Sequence, residues 1–208
     1  TGFRVRKDAP YHPLLRKMQP VREPDVDQTF ELPETFVALS REPVAESYVK
    51  RVNAYDAYLA GRVDIRYDFR MNRVVYLIKD GRNTVDAAGR SLTNTKPKWW
   101  RYANSGSPFT CGDGAVGVIL EDCASACCIS DYLSGIALLG TNLQDSHLPF
   151  LRRYDRLVVA LDKDATKKAL QLVRQLQAHR PTSLVVLNKD VKDMSDDERK
   201  RTFEKYLD

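Results

Sequence analysis

The run Val116-Gly-Val-Ile-Leu120 ends on Glu121, and a second apolar run, Leu157-Val-Val-Ala-Leu161, ends on Asp162-Lys-Asp164. Short apolar runs separated by helical patterns are typical of buried parallel strands, and polar chemistry in such sheets collects beyond the carboxyl ends of the strands. We therefore expect these acidic side chains to converge on one edge of a sheet. Because clustered carboxylates repel each other unless a cation lies between them, and because oxygen ligands suit hard ions, the pattern predicts a Mg²⁺ site.

The second half of the chain alternates between strand and helix patterns. Predicted strands lie at 116–120, 136–139, 157–161 and 183–187, and predicted helices begin near 123, 143, 165 and 195. This alternation predicts an α/β fold in which a small parallel sheet of the Rossmann type is flanked by helices.

The first half has a different pattern. Five prolines and little periodicity before residue 34 indicate an extended arm or linker. Apolar positions at helical spacing predict one helix from about Glu42 to Ala60, whereas Arg70–Ile78 predicts a strand and Trp99–Tyr102 a short strand or loop. We therefore divide the chain into a Pro-rich arm at 1–40, a mixed α+β basic subdomain at 41–112 and the parallel α/β domain at 113–208.

The charge is distributed unevenly between these parts. Residues 1–112 carry 19 Lys/Arg against 13 Asp/Glu, a net +6, whereas the rest carries 14 against 15, a net −1. A basic half beside an acidic half that suits metals fits a protein that holds a polyanion and metal ions together. The same charges on solvated helices would have no binding role, and the distribution alone does not choose between these interpretations.

Composition excludes several other classes. A chain of 208 residues with 43% hydrophobic content can bury a sizeable core. No apolar run approaches the roughly 20 residues that span a bilayer, so we expect a cytoplasmic protein without a membrane partner. The four Cys form no Cys-x-x-Cys pair and the three His are scattered, so we expect buried thiols rather than a zinc site or disulfides. Because the chain begins at Thr1, we expect it to be part of a longer protein.

The acidic runs belong to an ordered series of motifs. The series Ile119-Leu-Glu121, Leu139-Gly-Thr-Asn-Leu143, Val158-Val-Ala-Leu-Asp-Lys-Asp164 and Lys192-Asp193 resembles the Toprim domain of bacterial and phage primases. Upstream, Arg73–Ile78, Asp80-Gly81, Gly89-Arg-Ser-Leu92 and Pro97-Lys-Trp99 resemble the basic subdomain that precedes Toprim in these enzymes. Each motif alone is common, and the resemblance rests on their order from about Ala45 onward.

The resemblance implies the catalytic core of a DNA primase, a nucleotidyltransferase that makes short RNA primers on single-stranded DNA from ribonucleoside triphosphates. It implies that Asp162, Asp164 and Asp193 hold Mg²⁺ or Mn²⁺, and that Glu121 is either a further ligand or the proton acceptor. Implied nucleotide or nucleic-acid contacts are Arg73, Arg90, Lys96, Lys98, Trp99, Arg101, Gly140 and Thr141. The family also implies a replicative helicase partner, fused or separate, and a bacterial or phage-infected host.

Several positions leave alternatives open. The family usually has Gly after the first Glu and Asp four positions past it, where this chain has Asp122 and Ser125. A Toprim module that binds or cleaves nucleic acid without primase activity is therefore a second hypothesis. In the acidic run near the end, Asp190 or Asp196 could take the place given to Asp193. Asp162 and Asp164 could instead cap a turn or helix.

A third hypothesis comes from the third predicted strand. Asp162-Lys-Asp164 followed by Thr166 also fits the opening motif of haloacid-dehalogenase phosphatases, in which the first Asp is the nucleophile. That fold needs its opening strand early in the chain, and only a short tail follows Asp164. A separate prediction concerns Trp99 and Trp100, which are adjacent on a strand and so should point to opposite faces, one packed and one exposed.

Overall fold

Two five-stranded sheets that share one hydrophobic core form the framework of the protein. The computed structural model describes residues 29–93, 95–139 and 143–207. The predicted arm at 1–40 therefore lies mostly outside the described residues. The strands of the first sheet are β1 (Phe36–Ala38), β2 (Ile65–Asp68), β3 (Arg73–Asp80), β4 (Asn83–Ser91) and β5 (Trp99–Arg101). They lie in chain order and pair antiparallel throughout.

Strand β3 is the centre of the first sheet because it is buried on both faces. Its side chains at Val74, Tyr76 and Ile78 enter the shared core. The alternating residues Val75 and Leu77 enter a smaller cluster, which is covered by Phe30, Phe36 and Tyr102. The sequence predicted β3 and β5, whereas β2 and β4 went unpredicted because buried charged residues interrupt their apolar pattern.

Two helices precede β2 where the apolar periodicity predicted one. Helix α1 (Pro43–Arg51) begins with proline in its first turn, and Glu42 accepts a hydrogen bond from the Val44 N–H. Helix α2 (Tyr55–Leu59) follows after a break. Asn53 has a positive φ of 57°, a left-handed conformation that ends α1, and its side chain reaches a distant loop. The predicted continuous helix is therefore wrong at this position.

The second sheet contains the predicted parallel strands and one antiparallel strand. Its strands are β6 (Phe109–Cys111), β7 (Val116–Leu120), β8 (Ser134–Ala137), β9 (Arg156–Val159) and β10 (Thr182–Leu184). Their spatial order is β10, β9, β7, β8, β6, with only β6 antiparallel. Strand β6 was not predicted, because three residues give too short a pattern. It lies before the predicted boundary at 112/113, so the second sheet includes residues on both sides of that boundary.

Helices pack around this second sheet as the alternating pattern predicted. They are α3 (Cys123–Cys127), α4 (Leu148–Leu151), α5 (Thr166–Gln177) and α6 (Asp196–Phe203). Helix α5 buries Ala169, Leu172, Val173 and Leu176, an apolar stripe at helical spacing, against the sheet. Helix α6 begins with a capping box between Ser195 and Glu198.

Contacts between the sheets make the core continuous. The Tyr76 ring packs edge-on against Phe109, with ring centroids 5.9 Å apart. The Cys128 thiol donates to the carbonyl of Val52 at 3.2 Å, which joins the second sheet to the end of α1. All four Cys are free and buried, which confirms the prediction of buried thiols. Within the described ranges, no helix combines the length and apolar character that crossing a bilayer requires.

Candidate active site

The carboxyl ends of β7 and β9 place two acidic side chains side by side. These strands are parallel neighbours, and the Ala160 N–H continues their ladder by donating to the Ile119 carbonyl at 2.9 Å. Glu121 follows β7 directly, and Asp162 follows just after β9. The two carboxyl groups lie within hydrogen-bonding reach of each other. The predicted convergence of these two acids on one sheet edge is therefore seen in the structure.

The surroundings of Asp162 raise the pKa of its carboxyl group. Burial, the hydrogen bond that protonated Asp162 donates to Glu121, and the charges of Asp190 and Glu121 together raise the pKa of the Asp162 carboxyl group to about 7. The positive charge of Lys192 opposes this shift. Two carboxyl groups held at the ends of adjacent strands have a place for a cation, because a divalent ion would satisfy oxygens of both.

The third predicted acid, Asp164, lies beside this pair. It is exposed in a short turn before α5, and it lines a cavity of about 160 Å³ together with Glu121. The rest of the cavity is lined by apolar side chains of the sheet region, such as Leu161, and by residues in the first turns of α5, such as Lys168. Neither Asp162 nor Asp164 makes a side-chain capping hydrogen bond at the turn or at α5. The alternative of a helix-capping role for these two acids therefore has no support.

A second pair of acids lies on the other side of this edge. Asp122 caps α3 by accepting from the Ser125 N–H at 2.9 Å, and Asp190 accepts from the Ser125 hydroxyl at 2.9 Å. The ammonium group of Lys192 contacts both carboxylates, at 3.1 Å from Asp122 Oδ2 and in direct contact with Asp190 Oδ2. This pair is therefore neutralised by a side chain of the protein.

The metal ligand predicted at Asp193 needs correction. Asp193 is exposed at the end of a short turn, and the side chains of this segment that hydrogen-bond at the acidic edge are those of Asp190 and Lys192. Across the three described ranges, no group of three or more His, Cys, Asp or Glu side chains has the arrangement of a preformed metal centre. The structure thus brings Glu121 and Asp162 together and places Asp164 beside them, but it does not gather the four predicted ligands.

Arg90 of β4 and Tyr48 of α1 approach the acidic edge. Arg90 donates from Nε to the Tyr48 hydroxyl at 3.4 Å and lies over the Trp99 ring, 5.8 Å from its centroid. Burial raises the pKa of Tyr48, which also lies within electrostatic range of Asp122 and Lys192. One terminal nitrogen of Arg90 is buried without a hydrogen-bond partner. The predicted basic position therefore lies close to the acidic edge with donor capacity to spare.

The loop before β5 presents the other basic residues. Lys96 and Lys98 are exposed, while the main chain of Lys98 accepts hydrogen bonds from the first sheet. Trp100 is 43% exposed, whereas Trp99 packs on Tyr76 with ring centroids 5.9 Å apart. The predicted split of the tryptophans is confirmed. Because Trp99 is occupied by the core, the aromatic surface available to a base belongs to Trp100.

Two of the predicted nucleic-acid contacts, Arg73 and Arg101, are engaged by groups of the protein itself. Arg73 is 2% exposed, and its guanidinium donates to the carbonyls of Gly89, Pro97 and Lys98. Arg101 pairs with the fully buried carboxylate of Asp86. Most of the hydrogen-bonding capacity of both guanidinium groups is therefore used within the protein, although Nε of Arg73 is buried without a partner among the described residues, and phosphate binding by these two arginines stays a prediction.

Predicted contacts at Gly140 and Thr141 lie outside the described residues. Sequence reasoning also missed roles that the structure shows for Tyr48, Ser125 and Lys192. The spacing of Asp122 and Ser125 at the start of α3 is a capping signal that was available in the sequence. Tyr48 gave no such signal, because its helical spacing resembles that of an ordinary core residue.

Comparison with protein-family models and with curated protein sequences finds no match. Solved structures do match. The chain superimposes on the Escherichia coli primase catalytic core with a TM-score of 0.59 and 18% identity, covering 81% of this chain and 74% of that one. A structure of the DnaG catalytic core gives 0.58 and 19%, covering 80% and 74%. The DnaG primase catalytic domain bound to single-stranded DNA gives 0.51 and 19%, covering 80% of this chain and 59% of that one.

These similarities establish the class of fold. The chain has the fold of a bacterial primase catalytic core, a mixed α/β architecture that includes a sheet rich in parallel strands. The expected fold class is confirmed. A haloacid-dehalogenase fold does not fit, because the strand that carries Asp162 is the fourth of five in the second sheet rather than its opening strand.

Proposed function

We propose that this chain is the catalytic core of a DNA primase, which synthesises short RNA primers on single-stranded DNA from ribonucleoside triphosphates. The observation that carries the proposal is the placement of Glu121 and Asp162 just after the ends of two adjacent parallel strands, in a chain with a primase-core fold. A replicative helicase, fused or separate, is the partner that this function calls for.

The donor set of this edge fits Mg²⁺ or Mn²⁺. The carboxylates of Glu121 and Asp162 would hold the ion, with Asp164 within the same cavity as a third oxygen donor. When bound, a divalent ion lowers the pKa of an attacking hydroxyl and neutralises phosphate charge. The residues themselves fix the position of the site, because both carboxylates follow rigid, hydrogen-bonded strands.

Nucleic acid and nucleotide would be held by the basic side chains that remain free. Lys96 and Lys98 are exposed and can meet phosphates as point charges, and Trp100 can stack on an unpaired base. Arg90 has an unpaired buried nitrogen close to the acidic edge, which suits a phosphate of the incoming nucleotide. Gly140 and Thr141 stay proposals from the motif.

Primer synthesis from labelled ribonucleotides on mixed single-stranded DNA templates tests the proposal. Asp162→Asn should reduce synthesis by about 10²-fold or more, because it removes a charged oxygen at the site. Asp155→Asn is the matched control, since Asp155 is an exposed acid just before the opposite end of the same strand, β9. Equal synthesis by both variants would contradict the proposed site.

A second function is a module that binds nucleic acid without synthesising primers. The neutralisation of Asp122 and Asp190 by Lys192 favours it, because one half of the acidic edge already carries its own cation. The same assay separates the two functions. Absence of primers under Mg²⁺ and Mn²⁺, combined with binding of single-stranded DNA, would support the binding module.

A further inference from the structure

The ammonium group of Lys192 lies within the acidic edge rather than in solvent. Its side chain is 23% exposed, and those of Asp122 and Asp190, which it contacts, are 15% and 17% exposed. Burial acts to lower the pKa of Lys192, but the charges of Asp122 and Asp190 outweigh burial and raise it well above its ordinary value. The lysine therefore keeps its positive charge throughout the physiological pH range.

The oxygens of this acid pair are already occupied by donors of the protein. Asp190 Oδ1 accepts from the Ser125 hydroxyl at 2.9 Å and from the Lys192 N–H at 3.2 Å, and its Oδ2 accepts from the ammonium group. Asp122 Oδ1 accepts from the Ser125 N–H at 2.9 Å, and its Oδ2 accepts from the ammonium group at 3.1 Å. All four carboxylate oxygens have a protein donor.

Lys192 is also held at its main chain. Its carbonyl accepts a hydrogen bond of 2.7 Å from the Asn53 side chain, and Asn53 stands in a left-handed conformation at the end of α1. Lys192 itself lies in a short helical turn between Val191 and Asp193. The turn, the asparagine and the two carboxylates together fix the position of the ammonium group.

The other half of the edge differs in this respect. Among the described residues, Glu121 and Asp162 accept no hydrogen bond from a protein N–H, hydroxyl or ammonium group, and they follow two adjacent parallel strands. The edge thus consists of one pair neutralised by a contacting lysine and one pair that no protein cation of those residues contacts.

We propose that the Lys192 ammonium group permanently takes the place of a cation between Asp122 and Asp190, so that this edge binds one divalent ion, at Glu121 and Asp162, rather than two. This inference rests on the proposed function, because it assumes the metal site of that function. Lys192 is then a positioning residue that sets the number of ions the site holds. In sites with two metals, ions about 4 Å apart are held by shared carboxylates, and the lysine prevents this arrangement here.

Titration with Mn²⁺, followed by the electron paramagnetic resonance signal of the free ion, tests the inference without measuring activity. The wild type should bind one Mn²⁺ per chain at this edge. Lys192→Gln should bind two, because Asp122 and Asp190 lose their cation. Lys192→Arg should still bind one, and Lys189→Gln is the matched control, since that lysine pairs with Glu198 on the surface.

A further variant keeps the test independent of the folding of Lys192→Gln. Asp190→Asn should leave the single ion of the wild type in place, because Asp190 is not one of its ligands. Two ions in the wild type, one ion in a folded Lys192→Gln, or loss of the ion in Asp190→Asn would overturn the role of Lys192 and leave the proposed function standing. Absence of Mn²⁺ binding by the wild type, or binding unaffected by Asp162→Asn, would overturn both.

Discussion

Among the described residues, the fold supplies hydrogen-bond donors to a buried acid of the first sheet but not to Glu121 and Asp162 at the edge of the second sheet. In the first sheet, the buried Asp86 accepts hydrogen bonds from Arg101 and from the main-chain N–H groups of Ala87, Ala103 and Ser105. At the second sheet, Glu121 and Asp162 follow adjacent parallel strands, and the Glu121 carboxyl group contributes to the raised pKa of Asp162. Charges surrounded by partners stabilise a structure, whereas like charges held together without partners indicate a site that binds a cation.

The largest expected change in stability comes from removing Asp86, the acid that has hydrogen-bond donors. Asp86→Ala should lower the free energy of unfolding by about 3 to 5 kcal/mol, because Arg101 and several N–H groups would lose their buried acceptor. Urea denaturation followed by circular dichroism measures it. The control is Asp80→Ala in the same sheet, whose half-exposed pair with Arg153 should contribute less than about 1 kcal/mol. Similar losses for both variants would contradict the distinction.

The next-largest change in stability is expected at Arg73, the buried arginine of the first sheet. Arg73→Met should cost about 1 to 3 kcal/mol of stability, because three carbonyl groups lose their donor, and it should leave the affinity for single-stranded DNA unchanged in the folded variant. Lys98→Met should show the reverse: unchanged stability and weaker binding, with a reduced salt dependence. Fluorescence anisotropy at two salt concentrations, together with urea denaturation, measures both. A loss of DNA binding by folded Arg73→Met would instead support the predicted contact of Arg73 with nucleic acid.

A smaller effect of opposite sign is expected at the acidic edge. Because the folded-state pKa of Asp162 is raised to about 7, its ionised form disfavours the folded state, and stability falls as pH rises from the unfolded-state value of about 4 through 7. Asp162→Asn removes this penalty and should stabilise the protein by about 1 kcal/mol at about pH 8, with little difference at about pH 4. Thermal melts in the presence of a chelator at both pH values measure it. Destabilisation at the higher pH would show that Asp162 is held by partners, like Asp86.

The smallest change in stability is expected at Trp100. Trp100→Ala should change the free energy of unfolding by no more than about 0.5 kcal/mol, since the ring is 43% exposed, but should weaken binding of single-stranded DNA. Trp99→Ala should cost about 3 kcal/mol, because its ring packs on Tyr76. Denaturation and anisotropy on the same pair of variants separate packing from recognition. If Trp100→Ala binds DNA as the wild type does, the exposed ring has no role in stacking.

The sequence predicted the second sheet better than the first for a physical reason. Strands β7 and β9 are buried apolar runs whose boundaries are visible in the sequence. Strands β2 and β4 contain Asp68 and Asp86, whose burial depends on partners that lie far along the chain. A pattern of polar and apolar residues cannot show that a charge will be satisfied by a distant donor.

Prediction of the site residues was limited in the same way, because contacts between distant residues are not visible in the sequence. Glu121 and Asp162 were predictable because the strands bring them to one edge. The roles of Arg73 and Arg101 were not, since an arginine that binds phosphate and one that binds carbonyl groups look alike in sequence. The contact of Lys192 with Asp122 joins residues 70 positions apart, and only the folded chain shows it.

Strand β6 has a consequence for how this protein can be divided. It precedes the predicted boundary at 112/113, yet it forms the edge of the second sheet, and its Phe109 packs against Tyr76 of the first. A cut at that boundary would keep the Phe109–Tyr76 contact in the first half but take the edge strand away from the second sheet. Exchanges of parts between related proteins should therefore move residues from β1 to α6 together, because neither half carries a complete interior of its own.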